Sequence, residues 1–420
     1  LCWRLKMTAS DFFKRLDRRF KILLASIGLH TWSSSLPSQY NQLYAVSLGA
    51  NPIELGSLDS IGGVVSSIFS APAGWLIDKY GVKNMLVVGL MMSALVAAMY
   101  GFALNWWMLI PAIILMRISM LLIMPLTDII IIGVTEPKNR AFAMGLSRTI
   151  WAIPSIFAPF TAAMVVSSFG GINVEGIRPL YFIQLIAFLL TVVFTMVMLE
   201  PLPIHGREPQ YASKKFNLFN YYNEFLRSEK WLKHWLITMA VIRLGGISTP
   251  FVPLWIVDVK GADPYLLGVL GTVSVAVSLL LQIPMGKLAD TIGRKKVFLI
   301  LRPFSYIGTL LLVWAPNPMV LIFAGAFGAM GLMVFGGGIG GISFIPFITM
   351  YWESFPAEKR GRLQGISGLL DFIGSFATIL GGFLWQAGYM ELVLLLPMLI
   401  DVMVLVPTFL VIPESLGRSS

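Results

Sequence analysis

The residues of this chain that could do chemistry are few, and they stand where ionisable groups are costly. His30, Asp59, Arg117, Asp128, Arg148, Arg243, Asp371 and Asp401 each interrupt a long apolar run. A charge near the centre of a bilayer costs about 2.5–3.5 kcal/mol on insertion scales, so each of these side chains needs a reason to be there. An arginine can hold a carboxylate or an anionic group, an aspartate can accept and release a proton, and a histidine titrates near neutrality. Charge pairing and proton exchange are thus the chemistry on offer. Three His and a single cysteine, Cys2, are all the soft ligands in the chain. They cannot build an internal disulfide, a thiol-based metal site or a visible nucleophile–base set. No catalytic residue, metal ligand or cofactor is expected, and the chain does not read as an enzyme.

What must position these side chains is a set of helices in lipid. Of 420 residues, 57% are hydrophobic and 12% charged, with a mean hydropathy of +0.79. A soluble domain carries about 25% charge. A crossing helix needs roughly 20 apolar residues, and apolar runs fall at about 21–47, 53–77, 84–104, 106–133, 141–168, 178–199, 234–258, 264–286, 297–315, 318–351, 362–387 and 391–412. We number these spans 1 to 12. The expected organisation is an amphipathic cytoplasmic segment over 1–20, a six-helix bundle over 21–199, a cytoplasmic linker over 200–233, a second six-helix bundle over 234–412 and a tail over 413–420. With the N-terminus inside, the inner segments hold 25 Lys and Arg, and the outer loops only Arg178 and Lys260. The positive-inside rule then places both termini in the cytoplasm. The formal charge of +10 is therefore a topology signal, and a nucleic-acid partner is not expected. The expected setting is the plasma membrane, with the chain multi-pass and monomeric in the lipid bilayer.

The spans repeat. In a register of 212 residues, Gly49-Ala50-Asn51-Pro52 through Gly56 meets Gly261-Ala262-Asp263-Pro264 through Gly268, and Pro72, Gly74, Asp78 and Gly81 meet Pro284, Gly286, Asp290 and Gly293. A second register, of 220, aligns Asn139-Arg140 with Lys359-Arg360 and Gly145 with Gly365. Repeated halves mark transporters that rock about a site at the repeat interface. Here the chain resembles the major facilitator superfamily. Gly74-x-x-x-Asp78-Lys-x-Gly81-x-Lys83 follows that family's loop 2–3 signature, and Gly286-x-x-x-Asp290-x-x-Gly293-Arg294-Lys295 is its copy in loop 8–9. Val82 stands where a basic residue is usual, which leaves the second copy the more complete. The glycines permit a positive φ in a tight turn, and the carboxylate can hold a helix N-terminus or a basic group. The resemblance implies a twelve-helix, all-α membrane fold of two pseudo-symmetric six-helix bundles, with Gly74, Asp78, Gly81, Lys83, Asp128, Gly286, Asp290, Gly293 and Arg294 at an inner gate.

The same resemblance implies that spans 1, 4, 7 and 10 line the central path, so that His30, Arg117 and Arg243 face it. His30 and Arg243 would oppose each other across the axis, and Arg117 takes the place of the family's fourth-helix arginine. Arg117 and Arg243 read as a substrate or proton-coupling pair, or as partners of Asp59 and Asp371. Asp371 is a candidate proton acceptor, because burial opposes its charge and a cationic neighbour supports it. Ser34 and Gln39 belong to an unusually polar span 1, which reads as bordering water or substrate. Arg148 completes the candidate set, and Asp401 is expected to pair with Arg302. Gly336 to Gly341 in span 10 reads as close packing or a break in the helix. Gly145, Pro154, Ala158-Pro159 and Ala162 keep the spacing of the family's antiporter signature in degraded form. That favours a proton-coupled antiporter exporting a small organic solute by alternating access. Pro413-Glu414-Ser415 resembles the sugar-porter tail motif and supports the alternative, proton-coupled uptake of a sugar or organic anion. A membrane sensor that transports nothing is the reading from another class.

Overall fold

The structure is a computed structural model and describes residues 18–134, 140–198, 231–329, 337–355, 370–372 and 374–414, with side chains except at 18–20, 71, 73–75, 78, 132–134, 140–146 and 148. The expected 1–20 segment, the 200–233 linker and the 413–420 tail fall almost wholly outside these residues. Each of the twelve expected runs contains helix, and the described residues hold no strand. Among them, eight stretches are long and apolar enough to cross a membrane. Spans 1, 2, 10 and 11 fall outside that eight. Span 2 is an unbroken helix, Pro52–Tyr80, with residues 71, 73–75 and 78 described by their backbone only. The other three are interrupted or lie partly outside the described residues.

The repeat is visible in how helices begin. Asn51 accepts a hydrogen bond from the Glu54 amide at 2.9 Å while Glu54 accepts from the Asn51 amide at 2.8 Å, and Pro52 follows as the first helical residue. Asp263 does the same for Pro264–Ile292, accepting from the Leu266 amide at 2.7 Å. A short polar cap followed by proline satisfies the orphan amides of the first turn and pre-sets its φ. At the opposite ends, Gly81 (φ 84°, ψ 156°) and Gly293 (φ 106°, ψ 142°) adopt nearly the same conformation, one closed to residues with a Cβ. The signature glycines therefore turn both hairpins alike.

Spans 1 and 7 break at matching places. Span 1 runs as Arg18–Ser35, turns at Pro37 and resumes as Asn41–Ser47. Pro37 has no amide to donate to the preceding turn, and its carbonyl instead accepts from Tyr40 and Asn41 at 2.8 and 3.0 Å. Span 7 tightens to a 3-10 turn over Gly245–Ser248, just before Pro250, and ends in a π-turn over Trp255–Val259. Span 10 is interrupted after Leu321–Phe327, where Gly328 is left-handed (φ 83°), and resumes at Gly338–Gly341. The glycine-rich run thus marks a break in that helix.

Spans 1 to 6 pack on one another, as do spans 7 to 12. The two sets meet along two seams, span 2 against span 11 and span 5 against span 8. The serines of span 1 explain how so polar a helix is tolerated. Thr31, Ser33, Ser34 and Ser35 each donate to the carbonyl four residues back, at 2.7–2.8 Å. Their polarity is spent inside the helix, so it does not by itself require contact with water or substrate. On spans 9 and 12, Arg302 forks onto Asp401 through two bonds of 2.9 and 2.6 Å, and the Tyr306 hydroxyl donates to Asp401 at 2.5 Å. Asp401 is 1% exposed and opens a π-turn, Asp401–Leu405. The expected pairing with Arg302 is present.

Candidate functional site

Two arginine–aspartate pairs lie at mid-helix, on either side of the crossing of spans 2 and 11. Arg117 Nη2 stands 3.2 Å from Asp59 Oδ1, with the side chains 32% and 38% exposed. Arg243 Nε pairs with Asp371 Oδ1, and both side chains are again partly exposed. Both pairs are partly exposed, unlike the closed Arg302–Asp401 fork.

Span 2 reads Asp59-Ser-Ile-Gly62-Gly63 and span 11 reads Asp371-Phe-Ile-Gly374-Ser375. In both, the aspartate pairs with an arginine and the glycine three residues on lies under that same arginine. A Cβ on Gly62 would come within 2.6 Å of Arg117 Nε, and one on Gly374 would strike Arg243 Cβ. The next residue touches the other helix, since a Cβ on Gly63 would strike Ser375 Cβ. The two pairs are thereby joined through four small residues at the crossing. Gly62, Gly63, Gly374 and Ser375 escaped the reading by charge alone. The signal was present as a doubled Asp-x-Ile-Gly-small pattern, outside the registers in which the halves repeat.

The other expected site residues divide. His30 Nε2 lies 3.3 Å from Ser93 Oγ, which lies 2.6 Å from Ser119 Oγ, and its ring stacks on Phe188 at 4.6 Å. Spans 3, 4 and 6 supply these partners, so His30 turns into its own bundle and does not oppose Arg243 across the axis. The hydropathy of span 1 could not tell its inward face from its path-lining face. Ser34 closes on the His30 carbonyl. Gln39 lies against Gly271 of span 8, which puts it at a contact between the two sets of spans. Arg148 is on the span 5 helix, Arg140–Ser168, with its side chain outside the described residues.

At the expected inner gate, Gly74 and Asp78 are on the span 2 helix, with the Asp78 side chain also outside the described residues. Lys83 Nζ donates to the Met196 carbonyl at 3.1 Å. Asp128 is half-buried on span 4. Arg294 stands 3.6 Å from Asp290 and pairs with Glu353 of span 10. Glu414 Oε2 accepts from the Lys295 amide at 2.9 Å, beside Gly293. An acid there caps the N-terminus of Arg294–Trp314, so the tail motif has a structural task.

An apolar groove of ≈ 490 Å³ opens between spans 1 and 5, lined by Leu24, Ala25, Gly28, Leu29, Trp32, Ile150, Pro154 and Phe157. Among the described residues, several close approaches of the two sets lie at the end the charge count assigns to the outside. Gly56 meets Thr378, Gly382 meets Pro52, Gly268 meets Pro159 and Ala163, and the Tyr40 hydroxyl donates to the Pro264 carbonyl at 3.4 Å.

Comparison with known proteins agrees with this architecture. The family model for the Major Facilitator Superfamily matches residues 23–379 and 235–418. The Multidrug resistance protein MdtG of Citrobacter koseri is 25% identical over 319 residues, covering 70% of this chain and 72% of that protein. The Tetracycline resistance protein, class H, of Pasteurella multocida is 24% identical over 383 residues, covering 87% of each. Among solved structures, a point mutant of the nucleoside transporter NupG superposes with a TM-score of 0.69 at 14% identity, over 94% of this chain and 99% of that one. That similarity concerns the fold.

Proposed function

Since this chain belongs to the major facilitator superfamily, we propose that it is a proton-coupled antiporter of the plasma membrane that exports a small, largely apolar organic compound. The observation that carries this reading is the pair of partly exposed arginine–aspartate contacts at mid-helix, in a chain that also holds an apolar groove between spans 1 and 5. Trp32, Phe157 and Pro154 offer flat apolar surface to a solute. Arg117 and Arg243 already have carboxylate partners, so neither offers the surplus positive charge that an organic anion would need. This ranks export of an apolar compound above uptake of an anion. The drug-resistance names of the relatives point the same way.

Coupling follows from Asp371. Protonating it removes the charge that holds Arg243, and a freed Arg243 changes how spans 7 and 11 sit together. Deprotonation restores the pair. The close approaches among the described residues at the outer end support an arrangement closed to the outside, with both termini in the cytoplasm and the two six-helix bundles of 21–199 and 234–412 as the rocking units. The working unit is a monomer.

The test is transport in proteoliposomes under an imposed pH gradient, with a panel of fluorescent lipophilic dyes. Export driven by the gradient, lost in Asp371→Asn with dye binding retained, is the expected result. If no dye moves and no proton flux accompanies any of them, the antiport reading fails. Gradient-driven transport by Asp371→Asn at the wild-type rate would move the coupling site elsewhere.

A further inference from the structure

The two seams between the six-helix sets are related by the sequence repeat, but their hydroxyl bonding differs. In the 212 register, Gly56 and Ser60 of span 2 correspond to Gly268 and Thr272 of span 8. In the 220 register, Ser155, Ala158 and Pro159 of span 5 correspond to Ser375, Thr378 and Ile379 of span 11. The contacts follow both registers to within one residue, the place of Thr378 against the glycine being taken by Pro159 on the second seam. A Cβ on Gly56 would strike the Thr378 carbonyl and lie 3.2 Å from Ile379 Cα, and one on Gly268 would lie 2.8 Å from the Pro159 carbonyl oxygen. Both seams therefore bring backbones together over a glycine.

On the seam of spans 2 and 11, each hydroxyl reaches a carbonyl of the other helix. Ser60 Oγ donates to the Ser375 carbonyl at 2.5 Å, and Thr378 Oγ1 donates to the Gly56 carbonyl at 2.9 Å. The two oxygens are 2.7 Å apart, and both residues are 3% exposed. On the other seam neither Ala158, the register counterpart of Thr378 and fully buried, nor Pro159, which takes its place in the contact, carries a hydroxyl. The counterpart of Ser60 is Thr272, whose Oγ1 is buried with no partner among the described residues. Ser155 bonds within its own set, to Ser35 Oγ and the Trp151 carbonyl, each at 3.3 Å.

The bonded hydroxyls also have somewhere to go. Ser60 Oγ lies 3.0 Å from the Gly56 carbonyl of its own helix, and Thr378 Oγ1 lies 2.9 Å from the Ser375 carbonyl of its own. When the helices part, each O–H can turn onto that carbonyl, as serine and threonine do in isolated helices. No polar group is then stranded in lipid. Each hydroxyl thus exchanges an interhelical bond for one within its own helix, which suits a contact that must break in every cycle.

We propose that Ser60 and Thr378 form a two-hydroxyl latch on the outer gate, and that the related seam of spans 5 and 8 closes without one. The proposal rests on the alternating-access reading, but its test needs no substrate. Spin labels at Phe102→Cys and Met319→Cys, in a Cys2→Ser background, report the separation of the two sets at the outer end by pulsed electron resonance in lipid nanodiscs. Ser60→Ala and Thr378→Val should each raise the ratio of long-distance to short-distance populations by up to about fivefold, one net hydrogen bond being the ceiling because the open state recovers a bond within the helix. Ala158→Ser, which adds to the second seam a hydroxyl at the register position of Thr378, should lower that ratio. Gel filtration checks that each variant is folded, and alanine at position 60 is well suited to a helix. Unchanged distance distributions in both Ser60→Ala and Thr378→Val would overturn the latch. No response to Ala158→Ser would overturn the asymmetry. A shift in distances with no transport of any dye would leave the latch standing and sink the proposed export.

Discussion

Gly62→Ala separates the role of Arg117 in transport from its role in folding, because the two effects have opposite signs. The new Cβ would lie 2.6 Å from Arg117 Nε, about 0.8 Å short of the 3.4 Å at which ordinary contact begins. The backbone of a long helix resists such a shift, whereas an arginine side chain moves. Displacing the guanidinium by that amount stretches the 3.2 Å contact with Asp59 to about 4 Å, beyond hydrogen-bonding range. A charge-assisted bond is worth about 1.5–3 kcal/mol when shielded. With both side chains about a third exposed, solvent screening reduces that to about 1 kcal/mol, or roughly fivefold in gradient-driven transport. Removing a glycine from a helix interior contributes about 0.5–1 kcal/mol in the other direction. The expected variant is as stable as the wild type or more so in thermal unfolding, with about a fivefold lower export rate in proteoliposomes. Wild-type transport at unchanged stability would refute the placement of Arg117 in the coupling site. A loss of stability in step with activity would make the contact merely structural.

Other expected outcomes follow from the same geometry. Asp401→Asn leaves Arg302 charged and uncompensated in a buried fork, which should cost about 3–5 kcal/mol of stability in detergent unfolding. Arg302→Met with Asp401→Leu should recover most of that and transport normally, since this pair is closed to the path; lost transport in the folded double variant would contradict it. Trp32→Ala removes the largest apolar surface of the groove, so KM for an exported dye should rise about tenfold with the maximal rate preserved, and unchanged KM would place the solute elsewhere. Glu414→Gln weakens the cap on Arg294–Trp314 by about 0.5–2 kcal/mol, measurable as a lower thermal midpoint with substrate specificity unchanged.

The sequence by itself determined the solvent, the helices and the halves. Apolar runs cut by Lys and Arg report a membrane path because each charge left in lipid is penalised locally, whatever its tertiary neighbours. The 212-residue register was equally legible, since caps such as Asn51-Pro52 and Asp263-Pro264, and turns such as Gly81 and Gly293, are set by residues adjacent in the chain. Glycine in these turns is a local backbone requirement, and so survives in the pattern. Which charges meet was decided by tertiary structure. Arg117 and Asp59 are 58 residues apart, and nothing local to either says which face of its helix turns to the other. His30 shows the limit most clearly: its depth in the membrane was readable from residue count, while its direction depended on a rotation of span 1 fixed by packing against Phe188 and Ser93. The doubled Asp-x-Ile-Gly-small element lies between these cases. Its residues were in plain view, but only the crossing of spans 2 and 11 gives Gly62 and Gly374 an arginine to make room for. That crossing is set by close packing between chain segments more than 300 residues apart, which no window along the sequence contains.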